Sequence, residues 1–428
     1  MAAGALPGQI LITGGRVYDP GTGKSRRIDV AVKNGRLVEP EALSRGKTTI
    51  IDAAGCLITH GFIDLHAHFR EPGREDKETL ATGARAAFAG GFTRVCVMPN
   101  TEPPIDSPEA VRAVLEKSAG LPVEIMVIGA ITAGQQGTEL AELRAMRAAG
   151  AVAFSDDGLP IRNGQVLRQA LYYAKDLGVP LINHAEDPDI RGDGVMNEGA
   201  LSTRLGLPGN PALAEAAMVY RDLLLAADTG GRLHVPHLST AEAVAQVRAF
   251  KAAGADVTAE ATPHHLALTE ELLVDYDPLA KVAPPLRSES DRRAVVAGLQ
   301  DGTIDCIATD HAPHTVEEKE QDMLQAPFGM IGLESAFALA HTALTEAGLT
   351  TEKVLDLLTI GPAGVLDLEL QPLKPGAAAE LVVVDPAAEW TFGPEHIRSR
   401  SRNTPALGRR LKGRVRATLS PHGLYLGD

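Results

Sequence analysis

Two histidines separated by one residue, His66 and His68, end an apolar run that begins at Phe62. In an extended strand the side chains of residues i and i+2 point to the same side, so both imidazoles face one point. Imidazole nitrogens presented in this way suit a divalent first-row metal such as zinc. An isolated His-x-His pair is equally compatible with two structural histidines, so the chemistry depends on what the rest of the chain supplies.

More metal-competent side chains follow, each at the end of its own apolar run: Asp157, His184, His237 and Asp310. Four imidazoles and two carboxylates suffice for two divalent metals, and a carboxylate such as Asp157 can bridge them. Two metals about 3.5–4 Å apart lower the pKa of a water that they share. Asp310 then has two candidate roles, metal ligand and general base.

Single members of this set have ordinary structural explanations. Asp157 can serve as a turn residue before Gly158, and His184 can be a buried histidine whose ring nitrogens are satisfied. That all six residues are structural is a much weaker hypothesis, because each stands at the same place in a repeating pattern.

The repeating pattern is an apolar strand, a polar strand end and an alanine-rich helix. We predict eight such strands, which end at His68, Asn100, Thr132, Asp157, His184, His237, His264 and Asp310. Helices are predicted over residues 79–89, 107–119, 165–177 and 240–253, with a last pair over 333–347 and 351–359. Eight strand–helix units are typical of an α/β protein with a (β/α)8 TIM barrel, whose active site forms at the C-terminal ends of the strands.

The two ends of the chain have a different pattern. Residues 1–58 contain short strand-like runs separated by glycine turns, and strand-like runs return between residues 381 and 419. We therefore predict that segments 1–58 and 366–428 form one small β-sandwich domain, which flanks a barrel domain spanning residues 59–365.

Composition excludes several classes of function. The net charge of −14 argues against a nucleic-acid partner, because phosphate binding requires a basic surface. No run of about 18 apolar residues predicts a membrane span, and residues 1–9 lack the pattern of a secretory signal. The three cysteines, Cys56, Cys96 and Cys306, lie in or beside apolar strands, as expected of buried free thiols in a cytoplasmic protein.

Several local motifs resemble the amidohydrolase superfamily and, within it, the dihydroorotase family in its longer bacterial class I form. They are residues 64–73 (DLHAHFREPG), 98–101 (MPNT), 154–158 (FSDDG), 183–187 (NHAED), 262–266 (TPHHL) and 308–314 (ATDHAPH). The resemblance covers nearly the whole chain. It implies a zinc-dependent cyclic amide hydrolase that interconverts N-carbamoyl-L-aspartate and L-dihydroorotate in pyrimidine biosynthesis.

The resemblance also implies roles for individual residues. One or two zinc ions per subunit, with two expected, are held by His66, His68, Asp157, His184, His237 and Asp310. Asp157 takes the bridging place that a carboxylated lysine occupies in many superfamily members, and of the neighbours Asp156 and Asp157 only one can face the site. Asp310 also acts as the catalytic base.

The substrate contacts that the resemblance implies are His68, Arg70, Asn100 and His314, with a loop at Phe328 and Gly329 that closes over the ring. Arg70 is chemically apt for this role because a planar guanidinium matches a ring carboxylate. Its alternative is a surface position with an ion pair to Glu71.

One position departs from the family pattern. The motif at residues 281–287 (KVAPPLR) has Ala283 where family members commonly carry an asparagine that contacts the pyrimidine ring. Two alternatives stay open. An allantoinase or hydantoinase uses the same barrel, although residues 70–73 (REPG) and Asp157 argue against it. A non-catalytic dihydroorotase-like subunit that supports aspartate transcarbamoylase has Ala283 as its only support. The resemblance further implies a homo-oligomer and makes aspartate transcarbamoylase a candidate partner.

Overall fold

The structure is a computed structural model that describes residues 6–44 and 46–427. The predicted absence of a secretory signal over residues 1–9 therefore falls partly outside the described residues. Seven short strands precede the barrel: β1 (Gln9–Thr13), β2 (Arg16–Asp19), β3 (Lys24–Arg27), β4 (Val30–Lys33), β5 (Arg36–Val38), β6 (Thr49–Asp52) and β7 (Leu57–His60).

The barrel strands follow in the predicted order. They are β8 (Phe62–Ala67), β9 (Phe92–Val97), β10 (Glu124–Gly129), β11 (Ala153–Ser155), β12 (Leu181–Ile182), β15 (Leu233–Val235), β16 (Val257–Ala261) and β17 (Cys306–Ile307), with the short pair β13 (Met196–Asn197) and β14 (Gly209–Asn210) between the fifth and the sixth. The eight strands are all parallel and neighbour one another in chain order. A parallel bridge between Ala67 and His311 joins the first strand to the segment after the last. The predicted TIM barrel is confirmed.

Helices cover the outside of the barrel and its upper rim. They are α1 (Leu80–Ala89), α2 (Pro108–Ser118), α3 (Leu143–Ala149), α4 (Gly164–Leu177), α5 (Pro188–Arg191), α6 (Ala200–Leu205), α7 (Ala212–Thr229), α8 (Ala241–Ala252), α9 (Pro263–Ala267), α10 (Glu289–Asp301), α11 (Val316–Lys319), α12 (Ala336–Glu346), α13 (Thr351–Leu358) and α14 (Ile360–Val365). Short 3₁₀ helices lie at Pro40–Ala42, Ala133–Gln135, Glu270–Leu273, Pro278–Ala280, Leu333–Ser335 and Pro394–His396. The polar residues at which predicted helices begin, such as Thr79, Ser107 and Thr240, are N-caps whose side chains accept hydrogen bonds from the first turn.

Each barrel strand ends one to three residues before its predicted end, and at the seventh strand the predicted end lies in a helix. The seventh barrel strand ends at Ala261, and His264 lies in the helix α9. Pro263 is the first residue of that helix, a position that suits proline because its φ is already helical and its missing N–H would have no partner there. Thr262 caps the helix by accepting a hydrogen bond from the backbone N–H of His265 at 3.2 Å.

Both ends of the chain meet in two sheets beside the barrel. After the barrel come β18 (Leu381–Thr391), β19 (Arg410–Ser420) and β20 (Gly423–Leu426). One sheet has the order β5-β4-β1-β6 and the other β20-β19-β18-β7-β2-β3, so β7 from the first segment pairs antiparallel with β18 from the last. Ile10, Ile58, Val383 and Leu419 belong to the buried core that the two sheets share. A flanking sandwich built from both termini is therefore present, while the exact domain boundaries stay a prediction.

The sandwich leads into the barrel without a linker, because only Gly61 separates β7 from β8. A side chain at Gly61 would stand 2.2 Å from atoms of Thr93, so only glycine fits this junction. Phe62 follows at once and is completely buried, with its ring 5.7 Å from those of Phe92 and Phe337. Among the described residues no helix is long and apolar enough to cross a membrane.

We expect Phe62→Ala to lower the free energy of unfolding by about 3–5 kcal/mol, because truncating a buried phenylalanine removes packing and leaves a cavity. Leu213→Ala, at a side chain that is 61% exposed, is the matched control and should change the free energy by less than about 0.5 kcal/mol. Urea unfolding followed by circular dichroism measures both. Equal effects of the two substitutions would contradict the prediction.

Candidate active site

The six predicted metal-site residues converge at the C-terminal mouth of the barrel. His66 lies on β8 and His68 just after it, while Asp157 follows β11 by two residues. Oδ2 of Asp157 lies 3.3 Å from Nε2 of His66 and 3.4 Å from Nε2 of His68. Oδ1 of Asp310 closes this half of the cluster at 3.1 Å from Nε2 of His68 and 3.6 Å from Nε2 of His66.

The other oxygen of Asp157 faces a second histidine pair. Oδ1 lies 3.5 Å from Nδ1 of His184 and 3.6 Å from Nε2 of His237, and these two nitrogens are 2.9 Å apart. One carboxylate thus belongs to two groups of potential ligands, His66–His68–Asp157 and Asp157–His184–His237. Its neighbour Asp156 faces away and accepts hydrogen bonds from the backbone N–H groups of Ile131 and Thr132.

The chemistry of this cluster fits bound cations. Nε2 of His66 and Oδ1 of Asp157 are buried with no hydrogen-bond partner among the described residues, an arrangement that is costly unless a ligand satisfies it. Nitrogen and carboxylate oxygen donors suit zinc. Lys175 is turned to Thr229, whose carbonyl oxygen accepts its hydrogen bond at 3.1 Å, so no lysine of α4 takes the bridging place.

Charge pairing dominates the electrostatics of the cluster. Burial favours the neutral forms, but the opposite charges outweigh it: the pKa of His66 lies well above its ordinary value beside Asp157 and Asp310. Burial would raise the pKa of Asp157, but the surrounding histidines have the larger effect, and this pKa lies well below its ordinary value. The pKa of His184 rises to about 9 because the carboxylates of Asp157 and Glu186 overcome its burial. The carboxylates are therefore ionised and ready to bind cations.

The backbone at the site is held in uncommon conformations. Arg70, His237 and Asp310 have φ angles of 60°, 35° and 46°, in the left-handed region that residues other than glycine rarely adopt. Such backbone persists only where the surrounding structure enforces it, and it is concentrated at functional sites. All three residues belong to the predicted site.

A buried carboxylate that sequence reasoning missed orients His66. Nδ1 of His66 lies 2.8 Å from Oε1 of Glu260, and the other oxygen of Glu260 lies 3.0 Å from Nε2 of His234. Burial opposes the charge of Glu260, but His234 and His66 lower its pKa to about 2. With Nδ1–H donating to an ionised carboxylate, Nε2 of His66 is the nitrogen that faces the cluster, where a bound cation would replace its proton. The sequence feature that could have indicated this role is an acidic residue within the otherwise largely apolar strand β16.

His68 is oriented in the same way by a predicted substrate contact. Nδ1 of His68 lies 2.8 Å from Oδ1 of Asn100, so its N–H donates to the amide oxygen and its Nε2 faces Asp310. The amide nitrogen of Asn100 remains for a ligand. A methyl group at Gly158 would stand 3.1 Å from this nitrogen, so the glycine leaves room around it.

A cavity of about 320 Å³ opens above the cluster. It is lined by every predicted substrate contact: His68, Arg70, Asn100, His314, Phe328 and Gly329. Arg70 donates from Nε to the carbonyl oxygen of Pro313 at 3.3 Å. Glu71, its alternative partner, instead accepts from the backbone N–H of Leu80 at 2.6 Å and pairs with Lys117. Ala283 also lines the cavity.

His314 connects two walls of this cavity. Its Nε2 lies 2.8 Å from the carbonyl oxygen of Phe328, and its Nδ1 lies 3.3 Å from Nζ of Lys77. Burial and the nearby charges of Arg70 and Lys77 lower the pKa of His314 to about 3, so the ring is neutral. Gly329 has φ 128°, and a methyl group there would stand 3.0 Å from Nε2 of His314. The loop therefore requires glycine at this position.

A histidine–aspartate cluster at the C-terminal mouth of a (β/α)8 barrel is suited to metal-assisted hydrolysis, and the comparisons narrow this class to hydrolases of cyclic amide bonds. A family model described as dihydro-orotase-like matches residues 55–243. The dihydroorotase of Pelotomaculum thermopropionicum is 48% identical over 415 residues, which cover 96% of this chain and 97% of that protein. The dihydroorotase of Solibacter usitatus is 46% identical over 419 residues, with 97% of each covered. The chain belongs to the dihydroorotase family.

Solved structures with the same fold include hydantoinases. The L-hydantoinase (dihydropyrimidinase) of Arthrobacter aurescens superposes with a TM-score of 0.84 at 24% identity, over 97% of this chain and 95% of that one. The dihydropyrimidinase of Brevibacillus agri gives a TM-score of 0.81 at 21% identity, over 98% and 95%. At these identities the likeness concerns the fold alone.

We expect Glu260→Gln to weaken zinc binding by about 10–100-fold, the usual effect of losing a carboxylate that orients a metal-binding histidine. Competition with a chromophoric chelator measures this affinity without reference to turnover. Glu289→Gln, at an exposed residue of α10, is the control and should leave the affinity unchanged. Unchanged affinity in Glu260→Gln would mean that His66 is oriented by other contacts.

Proposed function

We propose that this protein is a zinc-dependent dihydroorotase that interconverts N-carbamoyl-L-aspartate and L-dihydroorotate. The observation that carries the proposal is the position of Arg70, whose guanidinium lines the same cavity as the histidine–aspartate cluster. A cyclic amide with a ring carboxylate matches both features, since the guanidinium can bind the carboxylate while the amide carbonyl faces the cluster. The identities of 46–48% to dihydroorotases over almost the whole chain support the same substrate.

In the proposed site zinc would be held by His66, His68, Asp157, His184, His237 and Asp310, and Asp157 belongs to both groups of potential ligands. Zinc bound there would polarise the ring carbonyl and lower the pKa of a water molecule. Asp310 lies at the edge of the cluster next to His68, where its carboxylate can accept a proton from the attacking water. As the ring C–N bond breaks, Asp310 returns that proton to the departing nitrogen, and ring closure reverses these steps.

The remaining cavity residues hold the substrate in the proposed complex. Arg70 binds the ring carboxylate, and the free amide N–H groups of Asn100 supply further donors. His314 is neutral and tied to the backbone of Phe328, so it links the carboxylate side of the cavity to the loop that covers the ring. Phe328 and Gly329 complete that cover and exclude water from the reacting amide.

Several further features stay predictions. Two zinc ions per subunit are expected because two ligand groups share Asp157. The class I subtype, a homo-oligomer, an aspartate transcarbamoylase partner and a cytoplasmic location rest on sequence motifs and composition. The three cysteines are buried and free, as predicted.

A turnover assay with dihydroorotate, allantoin and hydantoin, paired with metal analysis of the same preparation, tests the proposal. We expect turnover of dihydroorotate alone, with zinc present. Turnover of allantoin or hydantoin instead would favour the alternative hydrolases. A zinc-loaded protein without any turnover would favour the non-catalytic subunit.

We expect His66→Ala and His184→Ala each to lower bound zinc and to abolish turnover, because each removes a ligand from one of the two groups. Metal analysis after gel filtration and the dihydroorotate assay measure the two effects. His422→Ala, at an exposed histidine far along the chain, is the control and should change neither. Full zinc and full activity in either variant would remove that residue from the proposed ligands.

We expect Asp310→Asn to retain much of its zinc and to lose at least about 100-fold in kcat, the usual scale of general acid–base catalysis. An amide oxygen can still bind a metal but cannot accept and return a proton near neutral pH. In the unmodified protein, hydrolysis needs the ionised carboxylate and should fall at acid pH, whereas ring closure needs a proton to deliver and should fall at alkaline pH. Near-normal kcat in zinc-loaded Asp310→Asn would exclude the proton-transfer role.

A further inference from the structure

A second guanidinium lines the cavity, at a position that no prediction included. Arg191 is the last residue of α5, which follows the fifth barrel strand, whereas Arg70 follows the first. In an eight-stranded barrel the first and fifth strands lie on opposite sides. Both side chains line the same cavity, so a molecule in the cavity lies between two cationic groups.

The contacts of Arg191 fix its position without using all its donors. Nη1 lies 3.3 Å from Oε2 of Glu186, and the guanidinium carbon lies 4.4 Å from the ring centre of Phe328. Glu186 is itself fixed, because its Oε1 accepts a hydrogen bond from the side-chain amide of Asn210 at 2.6 Å. Nη2 of Arg191 makes no hydrogen bond with the part of the chain that the structure describes. The guanidinium is thus pre-positioned at the cavity with donors to spare.

Arg191 and Ala283 line the same cavity, and Phe328 connects Arg191 to the segment that contains Ala283. The ring of Phe328 contacts Arg191 and also Lys281, whose Nζ is 4.6 Å from the ring centre, and Lys281 stands two residues before Ala283. Lys281 is committed elsewhere, since its ammonium donates to the carbonyl oxygen of Met323 at 2.7 Å. The methyl group of Ala283 offers no hydrogen bond. Arg191 is therefore the available side-chain donor beside this part of the cavity.

We propose that Arg191 is a substrate-binding residue that donates a hydrogen bond to the ureido carbonyl oxygen. The methyl side chain of Ala283 cannot make such a hydrogen bond. This inference rests on the proposed function. Arg70 already serves the carboxylate, and the reacting amide must face the histidine–aspartate cluster. The ureido carbonyl is the polar acceptor that remains, and it occurs in both dihydroorotate and N-carbamoyl-aspartate. Because Glu186 partly neutralises Arg191, a neutral acceptor suits it better than a second anion.

The test compares Arg191→Met with the unmodified enzyme and with Arg144→Met, a control at an exposed arginine of α3. We expect Arg191→Met to raise the KM of both substrates about 10-fold, the worth of one hydrogen bond from a charged group, with kcat and zinc content little changed. Arg144→Met should leave KM unchanged. An unchanged KM in Arg191→Met would overturn the inference.

A second measurement separates substrate binding from mere support of the Phe328 loop. Dihydrouracil keeps the ring urea but lacks the carboxylate. As a competitive inhibitor it should bind about 10-fold more weakly to Arg191→Met, like the substrates, and with little change to Arg70→Met. Ala283→Asn should lower the raised KM in the Arg191→Met background, because it restores a donor in the same cavity. Unchanged dihydrouracil inhibition, or no recovery by Ala283→Asn, would overturn the inference. An unmodified enzyme that does not turn over dihydroorotate would instead overturn the proposed function.

Discussion

The buried carboxylate of Asp157 is the group on which the rest of the site depends. Its two oxygens face two histidine pairs, at 3.3–3.4 Å on one side and 3.5–3.6 Å on the other. An isolated buried carboxylate is costly, and so is a group of buried imidazolium ions, but each compensates the other. A bound cation that replaces the protons of the histidines would likewise compensate the negative charge of the carboxylates. The cluster is thus an arrangement of ligands whose geometry is already set by the barrel.

The barrel sets that geometry through a second layer of buried polar contacts. Glu260 and Asn100 each accept a hydrogen bond from Nδ1 of a cluster histidine, which leaves Nε2 of His66 and of His68 directed at Asp157. Glu186 lies 3.6 Å from Nε2 of His184 and at the same time pairs with Arg191, so it connects the cluster to the cavity wall. The contacts that orient the cluster histidines therefore extend through Glu186 to a residue that lines the cavity, and partners of this kind commonly affect the metal affinity of a site.

The cavity above the cluster explains how a common fold can serve one substrate. The hydantoinase structures show that this barrel with its flanking sheets is not restricted to one reaction, and a fold alone does not identify a function. Specificity lies in the side chains that line the cavity. Arg70, Ala283 and Arg191 all line this cavity, and in the proposed complex Arg70 binds the carboxylate while Arg191 supplies a donor that Ala283 lacks.

The sequence by itself determined the barrel, its strand order and the residues of the cluster, because strand ends and metal-competent side chains coincide in a regular pattern and the motifs around them are specific. A resemblance to a known family also favoured Asp157 over Asp156, and in the structure Asp157, not Asp156, faces the histidines. All eight strands end one to three residues earlier than predicted, because the polar residues at the strand ends already belong to the loops. At the seventh strand the predicted end His264 lies in a helix that Pro263 begins. Glu260 and Arg191 could not be found in this way. Each acts on a partner distant in the sequence, 194 residues away for Glu260 and His66, and only the closed barrel brings such pairs together.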